Sequence, residues 1–222
     1  MTTRTDIVEL KAVDGHRLSA CRVTPAGKAR GGIVIVQEIF GVNRHIRAVA
    51  EQYAAAGYLS IAPALFDRAE RDADVPYTDM AAGMALVGQL KTEQTLLDLK
   101  AAIDAVAPTG KVGMVGYCWG GRMVYVAACH LSMAAGVVYY GGGLPKVLDR
   151  TPKCPVMFHF AEQDKHITAA DVEQVKTAYP LGHYYLYPAD HGFNCTDRPA
   201  HEPVSAKLAL DRSLDFLHRH VG

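Results

Sequence analysis

The sequence has no excess of charge of either sign and no apolar run long enough to span a bilayer. Its 222 residues carry 23 lysines and arginines against 23 aspartates and glutamates, and its pI is about 7.1. This balance gives no reason to expect binding to nucleic acid or to an anionic membrane. The N-terminal residues also lack the apolar core of a signal peptide. These absences predict a cytoplasmic protein that binds neither nucleic acid nor membrane.

Paired metal ligands and nucleotide-binding loops are missing as well. The five cysteines contain no Cys-x-x-Cys pair, and the ten histidines contain no His-x-x-x-His pair. Scattered cysteines in odd number indicate free thiols rather than a disulfide framework or a zinc site. Neither Gly-x-Gly-x-x-Gly nor Gly-x-x-x-x-Gly-Lys-Ser/Thr occurs, which argues against a nucleotide. No metal enzyme is therefore expected.

Apolar strand-like runs alternate with helical patterns along nearly the whole chain. A hairpin signal at Asp14-Gly15 predicts that the sheet begins with an antiparallel edge. Further strands are predicted at 32–37, 58–62, 111–115, 136–140, 155–160 and 184–187, and helices at 48–56, 78–90, 92–106, 122–128, 169–179 and 202–220. This order predicts an α/β fold with a doubly wound, mostly parallel sheet and helices on both faces, in one domain over 1–222.

The segment Gly116-Tyr117-Cys118-Trp119-Gly120-Gly121 lies between a predicted strand and a predicted helix. Its Gly-x-nucleophile-x-Gly pattern is that of a nucleophile elbow, with cysteine in place of the commoner serine. Small residues are needed two positions either side of the nucleophile, because side chains there would collide with the strand and the helix. The alternative is that Cys118 is a buried structural thiol in a glycine-rich turn.

Asp164 and His191 follow later predicted strands and complete the order nucleophile, acid, base. His191 would accept the thiol proton and return it to the leaving group, and Asp164 would hold the imidazole tautomer. Each has a structural alternative, since Asp164 could cap the next helix and His191 could be a turn residue. Of the competing histidines, His159 lies inside a strand and is expected in the core, while His166 is close to the proposed acid.

An oxyanion hole in this architecture uses the backbone N–H of the residue after the nucleophile, here Trp119, and one from a loop after an early strand. Ile39 is the natural second donor, which places Glu38 beside the thiol. Because an unpaired buried carboxylate is costly, Glu38 is expected either to be neutralised by an arginine such as Arg122 or to take part in switching the ionisation of the thiol.

Together these residues resemble the dienelactone hydrolase (carboxymethylenebutenolidase) family. The resemblance rests on the runs 33–43, 116–121 and 191–193, in which Gln-Glu-Ile-Phe-Gly-Val-Asn is combined with Gly-Tyr-Cys-x-Gly-Gly. It implies a cofactor-free α/β-hydrolase with Cys118, Asp164 and His191 as its triad, and Ile39 and Trp119 as the oxyanion hole. It further implies that Glu38 pairs with the resting thiol and becomes its base when substrate displaces it from an arginine.

The sequence departs from this family's best-studied pattern at the residues that bind a substrate carboxylate. Met80 and Cys195 stand where two arginines are expected, and Met84 replaces a tyrosine. Arg198 is a candidate substitute for the second arginine. Without a bidentate clamp, the pocket is predicted to suit dienelactone itself less well.

The sequence therefore predicts a hydrolase of lactone or small carboxylic-ester bonds that acts through an acyl-thioenzyme intermediate on Cys118. The expected partner is a small-molecule ester or lactone, and the expected state is a monomer or small homo-oligomer. Two alternatives remain. The protein could be a non-catalytic relative that binds a small ligand, or a redox-sensing thiol protein. The second alternative needs a resolving cysteine near Cys118, and Cys129 is poorly placed for that role. The breaker-rich segment 63–77 is either a lid or a solvated loop.

Overall fold

A single eight-stranded sheet runs through the chain in the computed structural model, which describes residues 2–222. Its strands are β1 (Arg4–Lys11), β2 (Arg17–Thr24), β3 (Gly32–Val36), β4 (Leu59–Pro63), β5 (Val112–Tyr117), β6 (Ala135–Tyr139), β7 (Val156–Ala161) and β8 (His183–Tyr187). They lie in the order β1-β2-β4-β3-β5-β6-β7-β8. The pairings β1–β2 and β2–β4 are antiparallel and all others are parallel. The predicted α/β fold with an antiparallel edge is confirmed.

Six α-helices connect or flank these strands. They are α1 (Arg44–Ala55), α2 (Met80–Gln89), α3 (Thr92–Val106), α4 (Trp119–His130), α5 (Ala169–Ala178) and α6 (Pro203–His220). A Cβ added at Gly113 of β5 would meet Leu217 of α6, whereas one at Gly116 would meet Gly120 of α4. Because successive side chains of a strand point to opposite faces, α4 and α6 cover opposite sides of the sheet.

Two helices begin earlier than the sequence pattern predicts. Helix α1 starts at Arg44 rather than residue 48, because the side chain of Asn43 accepts a hydrogen bond from Ile46 N at 3.1 Å and caps it. Helix α4 starts at Trp119 rather than Arg122. Glycines have poor helix propensity, but here packing against the sheet requires them and overrides that preference.

The segment after β4 is anchored at its start. Leu65 N donates to the buried side chain of Gln37 at 3.1 Å, and Leu65–Arg68 forms a short 3₁₀ turn. Arg68 then makes a bidentate ion pair with buried Asp98 of α3, with its Nε 2.6 Å from Asp98 Oδ2, and a second pair with Asp14 at 2.9 Å. This end of the segment is therefore packed onto the body of the protein, and solvent-exposed residues begin at Glu70.

The first turn of α4 lies against backbone carbonyls of the central strand β3. A Cβ at Gly120 would stand 2.3 Å from Gln37 O and 2.5 Å from Val36 O, and one at Gly116 would stand 2.3 Å from Gly120 O. These distances are far below van der Waals contact, and backbone atoms cannot rotate aside. Glycine is therefore required at both positions for β5, α4 and β3 to pack. Within residues 2–222, no helix is both long and apolar enough to cross a membrane.

Replacing Gly120 with alanine is expected to destabilise the protein by about 3 kcal/mol or more, because the added methyl group overlaps two carbonyl oxygens of the sheet. Gly88→Ala in α2 is the matched control, since its added Cβ meets nothing within 4 Å. That variant should be neutral or up to about 1 kcal/mol more stable, through helix propensity. Urea denaturation of both variants measures the difference, and equal midpoints would contradict the packing argument.

Candidate active site

Cys118 occupies the turn between β5 and α4 in a strained backbone conformation, with φ 53° and ψ −119°. Such a conformation costs roughly 1–3 kcal/mol in a residue other than glycine and persists only when its surroundings fix it. Here Cys118 N donates to Tyr139 O at 3.0 Å, and Cys118 O accepts from Gly142 N at 3.3 Å. The thiol is half-buried and lies at the N-terminal end of α4. Cys118 is therefore not a sealed core thiol.

Asp164 and His191 come together beyond the ends of β7 and β8. His191 Nδ1 lies 2.7 Å from Asp164 Oδ2, and both side chains are buried. The other carboxylate oxygen, Oδ1, accepts from His166 N at 2.7 Å and Ile167 N at 3.1 Å. These two N–H donors fix the carboxylate in place, so it presents one oxygen to the imidazole.

His191 and Cys118 line the same pocket. Burial by itself would lower the pKa of His191, but hydrogen bonds to Asp164 and to Cys118, together with the charge of both groups, outweigh it and raise this pKa to about 10. The imidazole is therefore a strong proton acceptor. The three side chains that the sequence singled out are thus within reach of one another.

The competing interpretations of these residues do not fit the structure as well. Thr168, not Asp164, caps α5 and forms a capping box with Asp171. His159 is buried in the core, where it contacts the Tyr187 hydroxyl at 2.8 Å and the Ser213 hydroxyl at 2.9 Å, and burial lowers its pKa to about 3. It lies outside the pocket that contains Cys118.

Glu38 is fully buried below this site, and its charge partner is Arg198 rather than the predicted Arg122. Arg198 Nη1 lies 3.6 Å from Glu38 Oε1, and its guanidinium lies over the rings of Phe40 and Tyr77. Neither carboxylate oxygen accepts a hydrogen bond within residues 2–222. Burial raises the pKa of Glu38, and the positive charges of Arg198 and His191 oppose that rise. The arginine is seven residues beyond His191, in a loop that sequence spacing alone does not orient.

The two predicted oxyanion donors belong to residues that line the same pocket. Ile39 follows β3 through Gln37 and Glu38, and Trp119 is the first residue of α4. Within the described part of the chain, neither backbone N–H donates to another protein atom. Both N–H groups are therefore free to donate to a bound ligand.

The pocket over Cys118 has a volume of about 260 Å³. Its lining residues are Ile39, Met80, Met84, Val87, Cys118, Trp119, Arg122, Gly142, Gly143, Lys146, His166 and His191. Met80 and Met84 thus form its wall, as the sequence departures indicated. Cys195 is instead buried, with its sulfur 3.2 Å from the Tyr77 hydroxyl. Arg122, Lys146 and His166 line the pocket without having been assigned to substrate binding from the sequence, because no local motif marks them.

The structure also shows no cluster of three or more metal-ligating side chains within residues 2–222. The candidate site brings together a thiol, an imidazole, two buried carboxylates and two backbone N–H groups. A family model described as the dienelactone hydrolase family matches residues 18–221. The chain belongs to the dienelactone hydrolase family. This confirms the predicted family and the predicted class, a hydrolase of lactone or ester bonds.

Individual members of this family are similar to this chain over most of their length. A carboxymethylenebutenolidase from Pseudomonas putida is 34% identical over 96% of both chains. A Synechocystis protein assigned as a carboxymethylenebutenolidase is 36% identical over 81% of this chain and 82% of the relative. Among solved structures, a Klebsiella pneumoniae protein assigned to the dienelactone hydrolases has a TM-score of 0.87 at 26% identity, covering 99% of this chain and 100% of the other. The architecture and the sequence therefore lead to the same family.

Asp164→Asn is expected to lower the pKa of His191 from about 10, because the hydrogen bond and the charge of the carboxylate are lost while burial still favours the neutral imidazole. Esterase activity should fall about 10³- to 10⁴-fold. Nitrogen-15 NMR titration of the imidazole measures the first change. Asp104→Asn, which removes an exposed carboxylate paired with Lys100, is the control and should change neither quantity.

The contact between His191 and Asp164 also makes the stability of the protein depend on pH. The pKa of His191 is higher in the folded state than in the unfolded state. The contribution of His191 to the free energy of unfolding is therefore complete below about pH 6.5 and is lost as the pH rises towards 10. Denaturation midpoints of the wild type should therefore fall relative to those of Asp164→Asn over this interval. A constant difference between the midpoints of the two proteins over this pH interval would contradict the raised pKa of His191.

Arg198→Met is expected to cost about 3–5 kcal/mol at neutral pH, because it leaves the buried Glu38 carboxylate without a counter-charge. The raised pKa of Glu38 means that the folded state holds a proton above pH 4.5, so the loss should be smaller at pH 5 than at pH 8. The double variant Arg198→Met/Glu38→Gln should be more stable than Arg198→Met alone. Arg44→Met, which breaks an exposed pair with Asp197, should cost less than about 1 kcal/mol. Urea denaturation at both pH values measures each difference.

Proposed function

We propose that the protein hydrolyses lactones or small carboxylic esters with Cys118 as nucleophile, His191 as general base and acid, and Asp164 as the group that orients His191. The observation that carries this proposal is the 2.7 Å contact between His191 Nδ1 and Asp164 Oδ2 beside a half-buried thiol on a strained elbow. Backbone strain at the nucleophile is costly to folding, and both such strain and a perturbed imidazole pKa are typical of catalytic sites.

In the acylation step, the sulfur of Cys118 attacks the carbonyl carbon, and His191 Nε2 holds the proton that the thiol has given up. The carbonyl oxygen becomes an oxyanion that the N–H groups of Ile39 and Trp119 stabilise. Collapse of this intermediate breaks the bond to the alkoxy oxygen, and His191 returns the proton to it. With a lactone, the released alcohol stays attached to the acyl chain. The product is a thioester on Cys118.

Deacylation reverses these roles with water. His191 removes a proton from the water as its oxygen attacks the thioester carbon, and the same two N–H groups hold the second oxyanion. Breaking the carbon–sulfur bond releases the carboxylic acid and restores Cys118. The positive charge that develops on the imidazole is balanced by Asp164, whose position the N–H groups of His166 and Ile167 fix.

Glu38 is proposed to act as a second proton acceptor whose ionisation depends on Arg198. Its oxygens have no hydrogen-bond partner within residues 2–222 and its pKa is raised by burial. Such a carboxyl group is poised to gain or lose a proton when Arg198 moves by a short distance. The two alternative functions have less support. A purely ligand-binding protein does not require the strain at Cys118, and Cys129, the candidate resolving cysteine, lies buried outside the pocket.

Cys118→Ala and His191→Ala are each expected to lower the turnover of 4-nitrophenyl acetate and of simple lactones at least about 10³-fold. Cys129→Ala is the matched control, because this cysteine lies in α4, the helix that follows Cys118, but outside the pocket, and it should retain activity. Rapid quenching and mass spectrometry of Asp164→Asn during turnover should show the acyl group on Cys118. Turnover that persists in Cys118→Ala would exclude the proposed mechanism.

A further inference from the structure

The charges around the active-site pocket are distributed unevenly. Its lining includes Arg122 and Lys146 and the imidazoles of His166 and His191, but no aspartate or glutamate. The carboxylates of the site lie behind the lining, with Asp164 held by His191 and Glu38 beside Arg198. A ligand in the pocket therefore meets positive charge that no lining carboxylate neutralises.

Arg122 is fixed with its guanidinium on this wall. It lies four residues after Cys118 in α4, and its backbone N donates to Cys118 O at 3.3 Å. Its Nη1 stands 2.9 Å from where a Cβ of Gly143 would be, so the guanidinium packs on the loop after β6. Gly143 has φ 75° and carries no side chain that would displace it. Lys146 follows on the 3₁₀ turn Leu144–Val147.

Arg122 has no charge partner of its own. Within residues 2–222, neither Arg122 nor Lys146 has a carboxylate oxygen within 4.0 Å. Arg68, by contrast, is held between Asp14 and Asp98. Burial lowers the pKa of Arg122, and the nearby thiol group of Cys118 opposes that change. A partly dehydrated cation without a partner is costly in a purely structural role, so it points to an anionic ligand.

The pocket lining also includes four apolar side chains, those of Ile39, Met80, Met84 and Val87. Arg122 and Cys118 both line this pocket, whose volume is about 260 Å³. A group bound by Arg122 therefore lies within a short chain of the carbonyl that Cys118 attacks. The shape and chemistry fit a small ester with an apolar middle and an acidic end.

We propose that Arg122 and Lys146 form an anion-binding subsite that selects esters or lactones carrying a carboxylate a few carbon atoms from the scissile carbonyl. This inference rests on the proposed function. It assigns the substrate carboxylate to the wall formed by α4 and the turn Leu144–Val147, and not to the positions of Met80 and Cys195. Arginine suits this role because its planar fork matches a carboxylate.

The experiment compares mono-4-nitrophenyl adipate, whose acyl chain ends in a carboxylate, with its neutral methyl ester. The measured quantity is the ratio of kcat/KM for the acid to kcat/KM for the methyl ester. Arg122→Met should lower this ratio about 10- to 100-fold, as expected for loss of a hydrogen-bonded ion pair. Lys146→Met, at an exposed position, should lower it about 2- to 5-fold.

Arg150→Met is the matched control, because it removes the same charge from an exposed position that does not line the pocket. Its ratio should stay within about twofold of the wild type, which excludes a general effect of net charge. The subsite alone would be overturned if the wild type hydrolysed both esters and the ratio were the same in all three variants, Arg122→Met, Lys146→Met and Arg150→Met. Failure of Cys118→Ala to abolish turnover of either ester would overturn the proposed function, and the subsite with it.

Discussion

The first turn of α4 packs directly on the carbonyl groups of β3, and the rest of the site depends on this contact. It is possible only because Gly116 and Gly120 have no side chains. Cys118 occupies the tight turn between these two glycines, in a strained conformation with φ 53°. The same contact brings the start of α4 next to the segment after β3, so that Trp119 and Ile39 border one pocket. A single packing constraint thus positions the proposed nucleophile and both candidate oxyanion donors.

A second principle of the site is the separation of its charges by depth. Carboxylates lie in the buried layer, where Asp164 is held by His191 and Glu38 lies near Arg198. Cations line the accessible layer, where Arg122 and Lys146 have no carboxylate partner in the described chain. The buried carboxylate raises the proton affinity of the imidazole, since charge interactions are strong where water is excluded. The outer layer is left positively charged towards incoming ligands.

The agreement between sequence and structure varied with how local each signal was. The order of strands and helices followed from apolar periodicity, because each element buries one face or both. The predictions of where helices start were less accurate. Asn43 is a capping residue whose effect on α1 was not anticipated, and the helical glycines of α4 oppose intrinsic propensity. The identity of the arginine near Glu38 was wrong, because Arg198 reaches it through a loop whose path has no sequence signature.

The sequence by itself determined the sheet, the elbow and the candidate catalytic residues, because turn chemistry and strand ends are local properties that short patterns record. It also revealed that Met80 and Cys195 differ from the arginines of the family pattern. Only the tertiary structure decided which groups share the pocket. Arg122 and Lys146 meet there because α4 packs against the turn after β6, and such contacts depend on the three-dimensional path of the backbone rather than on spacing along the chain.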